Sequence, residues 1–358
     1  MKSVSVPAWE WYGWKPEALT FPDGWDVNVQ NMKGHGAKAL KPHEIKEKTQ
    51  HPTGTKPLSE LAKGKRKAVI IFDDMTRPTK TTQFLPAVLD ELHVGGITDD
   101  KIVFMMASGA HTGRMLFDFQ KKLGEEICAK YNVFNHNPYE GFVDLGKTSR
   151  GTPILINKEV TSCDLKVTIS SIMPHFGYGF GGGSKIILPG VASITTIDLN
   201  HTRLFPHPSA GIGKYEGNIL KRDMNDAARM AGLDIKVDCI YNFKRQVTHL
   251  FVGDVVDEHV AGVNVAREYW ATDDIPDCDI VIANCFSKAD EMSLALPVTA
   301  PLLKKSGGDL IVLVITPEGQ INHYWARSFG VNLGGRNFRP KTALPANTKR
   351  FTIMQPYP

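Results

Sequence analysis

The sequence predicts an α/β fold of two domains, each with a mostly parallel sheet flanked by helices. Three observations predict it. The chain has 358 residues, beyond the roughly 100–200 of an ordinary single domain. Short apolar runs alternate with helical patterns, the rhythm of parallel strands joined by helices. The polar residues able to do chemistry fall just after the apolar runs, where open α/β sheets bind ligands. The domain boundary is placed near residue 270, giving an N-terminal α/β domain over 1–270 and a smaller C-terminal α/β domain over 271–358.

The elements follow in order. "WEWYGWKPEALTF" reads as a short edge hairpin, followed by a long surface connection to about Lys65. "KAVIIFDD" reads as a buried strand. A helix from about Thr81 to His93 follows it, with Leu85, Val88, Leu89 and Leu92 on one face. "KIVFMMASGAH" is the next strand and loop, and "MLFDFQKKLGEEICAKY" the next helix. "DLKVTISSIMPH" is a third strand running into a glycine-rich stretch, and "SITTIDLNH" is a short helix whose threonines cap it. "FPHPSAGIG" is a loop at the domain junction. "KVDCIYNFKRQVTHLFVGD" is a hairpin, and a helix ending near Trp270 leads to the buried strands "CDIVIANCFSK" and "GGDLIVLVIT".

Composition narrows the function classes. Apolar content of 42% and charged content of 22% describe a soluble globular protein. The net charge of +4 favours small anions, but no Lys/Arg run interleaved with aromatics supports nucleic-acid binding. Cys128, Cys163, Cys239, Cys278 and Cys285 are scattered and include no C-x-x-C pair, so the expectation is a reduced, cytoplasmic chain without a cysteine zinc site. The N-terminus has no continuous apolar stretch of the secretory kind, and no segment reaches the roughly 18 apolar residues of a membrane span.

Five loops after strands carry the candidate chemistry: Asp73, Asp74 and Arg77; His111 and Arg114; His175 and Lys185; Lys288 and Asp290; and Glu318. Asp74 or Thr76 would cap a turn, whereas Arg77 offers a planar two-pronged donor suited to a carboxylate or phosphate. His111 lies between Gly109 and Gly113, His175 precedes the glycine run and His201 ends the short helix; two of these three could supply a general acid and base near neutral pH, and the third could bind a metal. His35, His43, His51 and His136 read as solvated and His207 as a loop residue. The cysteines read as core, Cys285 being the one at a strand's end. Tyr324 and Trp325 read as packing residues able to wall a pocket.

"PHFGYGFGGGSKIILPG" places six glycines, a histidine and a lysine between Pro174 and Gly190. Such a run is entropically costly unless backbone must come very close to something. Gly179, Gly181, Gly182 and Gly183 could turn their amides toward an anion as a nest, with Lys185 just beyond. The G-x-x-x-x-G-K-[ST] spacing is absent. Gly177, Gly179 and Gly182 satisfy G-x-G-x-x-G, but the "IILPG" that follows does not open the helix a dinucleotide site requires.

"DDMTRPT", "SGAHTGR" and "PHFGYGFGGGSKIILPGVASITTIDLNH" resemble, in order and spacing, the nickel-pincer-dependent lactate racemase family, and "WYGWKPEALTFPDGWDV" is similar to that family's opening hairpin. The resemblance runs from about residue 10 to 325. It implies an isomerase whose active site lies in a cleft between the domains, with a pyridinium mononucleotide holding nickel through carbon and sulfur. By resemblance, Lys185 is joined to the cofactor through a thioamide and His201 ligates nickel. His111 and His175 are the acid and base, Arg77 contacts the substrate carboxylate, and Asp74 belongs to the same cofactor-binding element. Gly181, Gly182 and Gly183 approach the cofactor, and Lys288 lies near substrate or cofactor phosphate.

The implied reaction moves the hydrogen of a hydroxyl-bearing C2 to the cofactor as hydride and returns it to the opposite face. The implied partners are a small anionic 2-hydroxy acid and cofactor-maturation enzymes, with room for a homo-oligomer and with neither nucleic acid nor membrane. "ANCFSKADEM" departs from the family's Ser/Gly-Pro loop before its lysine, which points to another 2-hydroxy acid or a sugar acid as substrate. Two other readings stay open: a net oxidoreductase on such acids, and a non-catalytic cofactor- or metal-binding protein.

Overall fold

The structure, a computed structural model, describes residues 1–317, 319–321 and 344–356. The predicted positions of Glu318, Tyr324 and Trp325 lie outside them. The chain opens with an antiparallel hairpin, β1 (Lys2–Ala8) and β2 (Lys15–Phe21). It forms its own two-stranded sheet instead of edging a larger one. Its first strand begins before the segment read as the hairpin, and Trp9 to Trp14 make its turn. The surface connection carries α1 (Pro42–Gln50) and the single turn α2 (Leu58–Leu61).

β3 (Ala68–Asp73) is buried along its whole length. Ala68, Ile70 and Phe72 enter one core with Leu85, Val88 and Leu92 of α3 (Leu85–Val94); Val69 and Ile71 enter the opposite core. That continuous burial is what a central parallel strand covered on both faces requires. Each buried aliphatic or aromatic side chain contributes roughly 1.5–3 kcal/mol. α3 begins later than expected, because Thr81–Gln83 forms a separate 3₁₀ turn and Pro86 sits in the first turn of the helix. β4 (Ile102–Ala107) leads to α4 (Leu116–Leu123) and α5 (Glu125–Lys130). The sequence reads as one helix here, but Gly124 adopts φ +96° and breaks it.

β5 (Asn132–Asn135), the hairpin β6 (Phe142–Lys147) and β7 (Pro153–Asn157), and the short α6 (Lys158–Ser162) precede β8 (Leu165–Ser171). Then come a two-residue hairpin, β9 (Pro174–His175) and β10 (Gly179–Phe180), and the helices α7 (Ile194–Leu204) and α8 (Ile219–Met230). α7 is capped by the Ser193 hydroxyl accepting from Thr196 N–H, one residue before the threonines expected to cap it. β11 (Ile235–Tyr241) and β12 (Val247–Gly253) form the expected hairpin, and α9 (Asp257–Tyr269) ends where the sequence indicates.

The main sheet has the order β12-β11-β8-β3-β4-β5, parallel except for the β11/β12 pair. α1 and α3 cover one face, and α7 and α8 the other. A separate all-parallel sheet joins β13 (Ile280–Asn284), β14 (Gly308–Leu313) and β15 (Thr348–Met354). Its small cores centre on Val281, Ala283, Leu310 and Val312. The short α10 (Leu296–Thr299) lies between β13 and β14. No helix among the described residues is long and apolar enough to cross a membrane.

Candidate active site

The chain enters the main sheet in the middle, at β3, winds outward through β4 and β5, and returns to β8 on the other side of β3. That reversal is the topological switch point at which doubly wound sheets open a crevice beyond their carboxyl ends. The loops after β3 and β8 are the ones carrying Asp74, Arg77, His175 and Lys185. Thr79 ties the two strand ends together, its hydroxyl lying 2.6 Å from Asp73 Oδ2 and 2.9 Å from Ser171 Oγ.

The loop after β3 is closed by a residue the sequence does not single out. Lys122 of α4, fully buried, donates to the carbonyls of Asp74 (2.9 Å) and Arg77 (2.8 Å) and lies 2.7 Å from Asp73 Oδ1. Burial pulls Lys122 down and pushes Asp73 up, so the pair holds the loop at a desolvation cost. Within the loop, Asp74 Oδ1 accepts from Thr76 Oγ1 at 2.6 Å, and Asp74 Oδ2 lies 2.6 Å from His111 Nδ1. Burial opposes ionisation of Asp74, but His111, Arg77 and Thr76 outweigh it and hold the carboxyl far below its ordinary range. An ionised carboxylate only accepts, so His111 carries a proton on Nδ1. Arg77 is buried and fixed by Nη1 donating to Thr76 Oγ1 (2.8 Å) and Thr76 O (2.9 Å).

The glycine stretch corrects the amide-nest expectation. The Gly181 amide donates to Met173 O at 2.7 Å, and the Gly183 amide to Asp238 Oδ2 at 2.6 Å. The carbonyls of Gly181 and Gly182 accept from His259 Nε2 (2.8 Å) and Lys221 Nζ (3.2 Å). What presses on these glycines is a buried charged layer of the protein itself. A Cβ on Gly182, at φ +84°, would lie 2.6 Å from Asp238 Oδ2, and one on Gly183, at φ +54°, 2.7 Å from Lys221 Nζ. Burial raises the energy of an ionised Asp238, yet Lys236 at 2.7 Å and His259 keep its carboxyl below the usual range. Burial, with Lys221 beside it, lowers His259 to about 3, and burial lowers Lys221 to about 7. No helix opens after the run; a 3₁₀ turn, Gly183–Ile186, presents Lys185 instead.

His175, Lys185 and His201 meet at Tyr178. The His175 ring stacks on the tyrosine with centroids 4.2 Å apart, Lys185 Nζ lies 5.3 Å from the ring centre, and the Tyr178 hydroxyl is 2.6 Å from His201 Nε2. His175 Nδ1 accepts from the Gly177 amide at 3.2 Å, so the neutral ring carries its proton on Nε2. Burial, then the charges of Lys185 and Arg77, push His175 well below its ordinary value. Burial, then Arg77 and Lys288, do the same to Lys185. His201, expected at the helix end, is buried inside α7. Tyr178 stands within the stretch the sequence flags, but a tyrosine between glycines gives no sign of organising three other side chains.

The second sheet supplies Lys288 and Asp290, which follow β13. Lys288 Nζ donates to Thr76 O at 3.1 Å and to Glu291, which also lies 3.5 Å from Arg77 Nη1. Asp290 is raised to about 6 by burial. A cavity of about 190 Å³ lies between Trp11, Met75, Thr112, Arg114, Phe286 and Asp290. It adjoins Asp74 and His111 through Met75 and Thr112, but His175, Lys185 and His201 do not line it. His136, expected in solvent, is buried: Nε2 lies 2.9 Å from Ala192 O, and Nδ1 accepts from Asn157 at 3.2 Å. Cys285 is buried with its thiol pushed up to about 11, the state of a packing residue.

Among the described residues no three His, Cys, Asp or Glu side chains converge as a metal cage. A nickel ion at His201 would therefore need further ligands from a bound group. Lys185 suits attachment of such a group: its amine makes no hydrogen bond among the described residues, and its surroundings favour the neutral form.

Residues 12–213 match the family model described as the lactate racemase N-terminal domain. The chain is 32% identical over 289 residues to lactate racemase of Thermoanaerobacterium thermosaccharolyticum and 30% identical over 282 residues to that of Lactiplantibacillus plantarum. These alignments cover 79% and 77% of this chain, which spans 66% of the length of each relative. The solved lactate racemase apoprotein of T. thermosaccharolyticum superposes with a TM-score of 0.72 at 27% identity, covering 89% of this chain and 76% of that one.

Proposed function

Because this chain belongs to the lactate racemase family, we propose that it inverts the hydroxyl-bearing C2 of a 2-hydroxy acid, with a nickel-pincer pyridinium nucleotide attached at Lys185 and His201 as a nickel ligand. The observation that carries this reading is the gathering of His175, Lys185 and His201 about Tyr178, at the sheet's switch point. Residues 1–270 would form the catalytic and cofactor-binding domain, and 271–358 would contribute Lys288.

When bound, the nucleotide supplies a reversible acceptor for the hydrogen on C2. Arg77, fixed by Thr76, binds the substrate carboxylate with two parallel hydrogen bonds, and Lys288 adds a second positive charge. His111 Nε2, backed by Asp74, takes the hydroxyl proton. His175 Nε2–H donates to the same oxygen and holds it while the planar 2-oxo acid turns about its anchored carboxylate. For the opposite enantiomer the histidines exchange roles, and His175 gives up its Gly177 contact. Departure of water from the crevice strengthens each of these interactions.

The test is intact mass, peptide mapping and nickel analysis of protein made together with the cofactor-maturation enzymes, followed by chiral analysis of lactate and longer 2-hydroxy acids in deuterated water. The expected result is a mass excess at Lys185 with nickel, and inverted product that keeps its C2 hydrogen. Unmodified protein from that host, or accumulation of free 2-oxo acid in place of the enantiomer, would overturn the reading.

A further inference from the structure

Arg77 and Lys288 converge on a single carboxylate, and it belongs to the chain itself. Glu291 Oε2 lies 3.5 Å from Arg77 Nη1 and is hydrogen-bonded by Lys288 Nζ. The same two cations also share the Thr76 carbonyl, at 2.9 Å from Arg77 Nη1 and 3.1 Å from Lys288 Nζ. All three charged side chains are largely buried, with 11% exposure for Arg77, 16% for Lys288 and 14% for Glu291. Lys288 and Glu291 are also the two residues of the Phe286–Ala295 segment that leave helical geometry. Those irregular turns bring the carboxylate and the ammonium round to the guanidinium.

Of the acids that act on Arg77, Glu291 acts most strongly and is its ion-pair partner, ahead of Asp74, Asp73 and Asp290. Asp74 is engaged by His111 and Thr76, and Asp73 by Lys122. A substrate carboxylate arriving at Arg77 and Lys288 therefore meets Glu291 already there. Two carboxylates on the same two cations repel at close range in a poorly solvated crevice. One of them must leave.

We propose that Glu291 is an internal occupant of the anion site formed by Arg77 and Lys288, displaced by the carboxylate of each incoming ligand, so that it weakens and selects carboxylate binding. This rests on the reading above that Arg77 and Lys288 take the substrate carboxylate. It makes Glu291 a specificity-determining residue: a ligand is held only if its carboxylate, together with its other contacts, outcompetes the tethered one.

Isothermal titration of the cofactor-free protein with glycolate, a 2-hydroxy acid without a stereocentre, tests this independently of turnover, with uncharged glycolamide as control. Glu291→Gln should bind glycolate at least 10-fold more tightly than wild type and leave glycolamide unchanged; adding Arg77→Gln should abolish the gain. Wild-type protein carrying ¹³C in its glutamate carboxyl groups gives a readout that does not depend on the variant's folding. Saturating glycolate should move one buried carboxylate resonance to a solvent-exposed position. Equal or weaker glycolate binding by a folded Glu291→Gln, or no resonance change in saturated wild type, overturns the proposal. Racemisation assays on the cofactor-loaded enzyme score the underlying functional reading separately. A loaded enzyme that racemises while these measurements fail sinks this inference alone.

Discussion

Asp74 Oδ2 and His111 Nδ1 lie 2.6 Å apart, joining the loop after β3 to the loop after β4. The carboxylate fixes the imidazole tautomer and its ring orientation, as carboxylates behind catalytic or metal-binding histidines do. Asp74→Asn puts an amide that can donate where only an acceptor stood and admits the other tautomer. The expected outcome is a loss of about 10–100-fold in kcat with a smaller change in KM, and ¹⁵N spectra should show the His111 proton no longer confined to Nδ1. Unchanged kcat in a folded variant would remove His111 from the proposed base role.

Lys185 is an amine pushed well below the ordinary lysine range by burial and by the positive charges of Arg77 and Lys288. The shift favours the neutral amine, so an amine-selective acylating reagent should modify Lys185 in the cofactor-free protein at a lower pH than the exposed lysines. Removing a neighbouring positive charge favours the ammonium, so Arg77→Gln should raise the pH midpoint of labelling. Peptide mass mapping across a pH series reads both effects. An Arg77→Gln midpoint equal to or below that of wild type would contradict the placement of the two side chains in one crevice.

The sheet was legible in the sequence because central parallel strands must be apolar on both faces, and "KAVIIFDD" and "DLKVTISS" advertise that directly. The site was legible as a set of loops, since polar residues at strand ends have few structural reasons to be there. Partners that act through burial were not legible. Lys122 sits in an amphipathic helix, and Lys221, Asp238 and His259 sit in ordinary helix and strand contexts. Only the fold shows that they close the loop after β3 or underlie the glycines. His136 misled for the same reason: polar neighbours in sequence do not report a buried site in space.

The three consecutive glycines separate two physical demands. Gly182 and Gly183 have positive φ, and an added Cβ would meet Asp238 or Lys221 and His259 below 3 Å. Overpacking of about 1–3 kcal/mol and backbone strain of similar size add there. Gly181 has no such φ, and its Cβ would find its nearest neighbour, Met173 O, at 3.6 Å. Gly182→Ala and Gly183→Ala should each lose about 2–5 kcal/mol in urea unfolding, whereas Gly181→Ala should stay within about 1 kcal/mol of wild type. A stable Gly181→Ala that cannot be loaded at Lys185 would place the cofactor against this backbone. Normal loading would instead assign the glycine run to the buried charges beneath it.

His136 supplies the acid limb of stability. Burial holds its imidazole down to about 4 against an ordinary value of 6.5, and the bonds to Ala192 O and from Asn157 fit a neutral ring protonated on Nε2. The unfolded chain therefore binds a proton between pH 6.5 and 4 that the folded chain refuses. Stability tied to this group is complete above pH 6.5 and is lost as pH falls through that window. A shift of this size corresponds to roughly 3 kcal/mol. His259, held to about 3 by burial, acts in the same direction and extends the loss further into acid. Glu10, raised to about 7 by burial, acts oppositely: it destabilises the fold as pH rises from 4.5 to 7. Urea unfolding of wild type and His136→Gln across pH 4–8 should show a variant less stable at pH 7.5, with the gap narrowing steadily toward pH 4. A gap independent of pH would mean that His136 titrates alike in the folded and unfolded chains, and the shift assigned here to burial would be wrong.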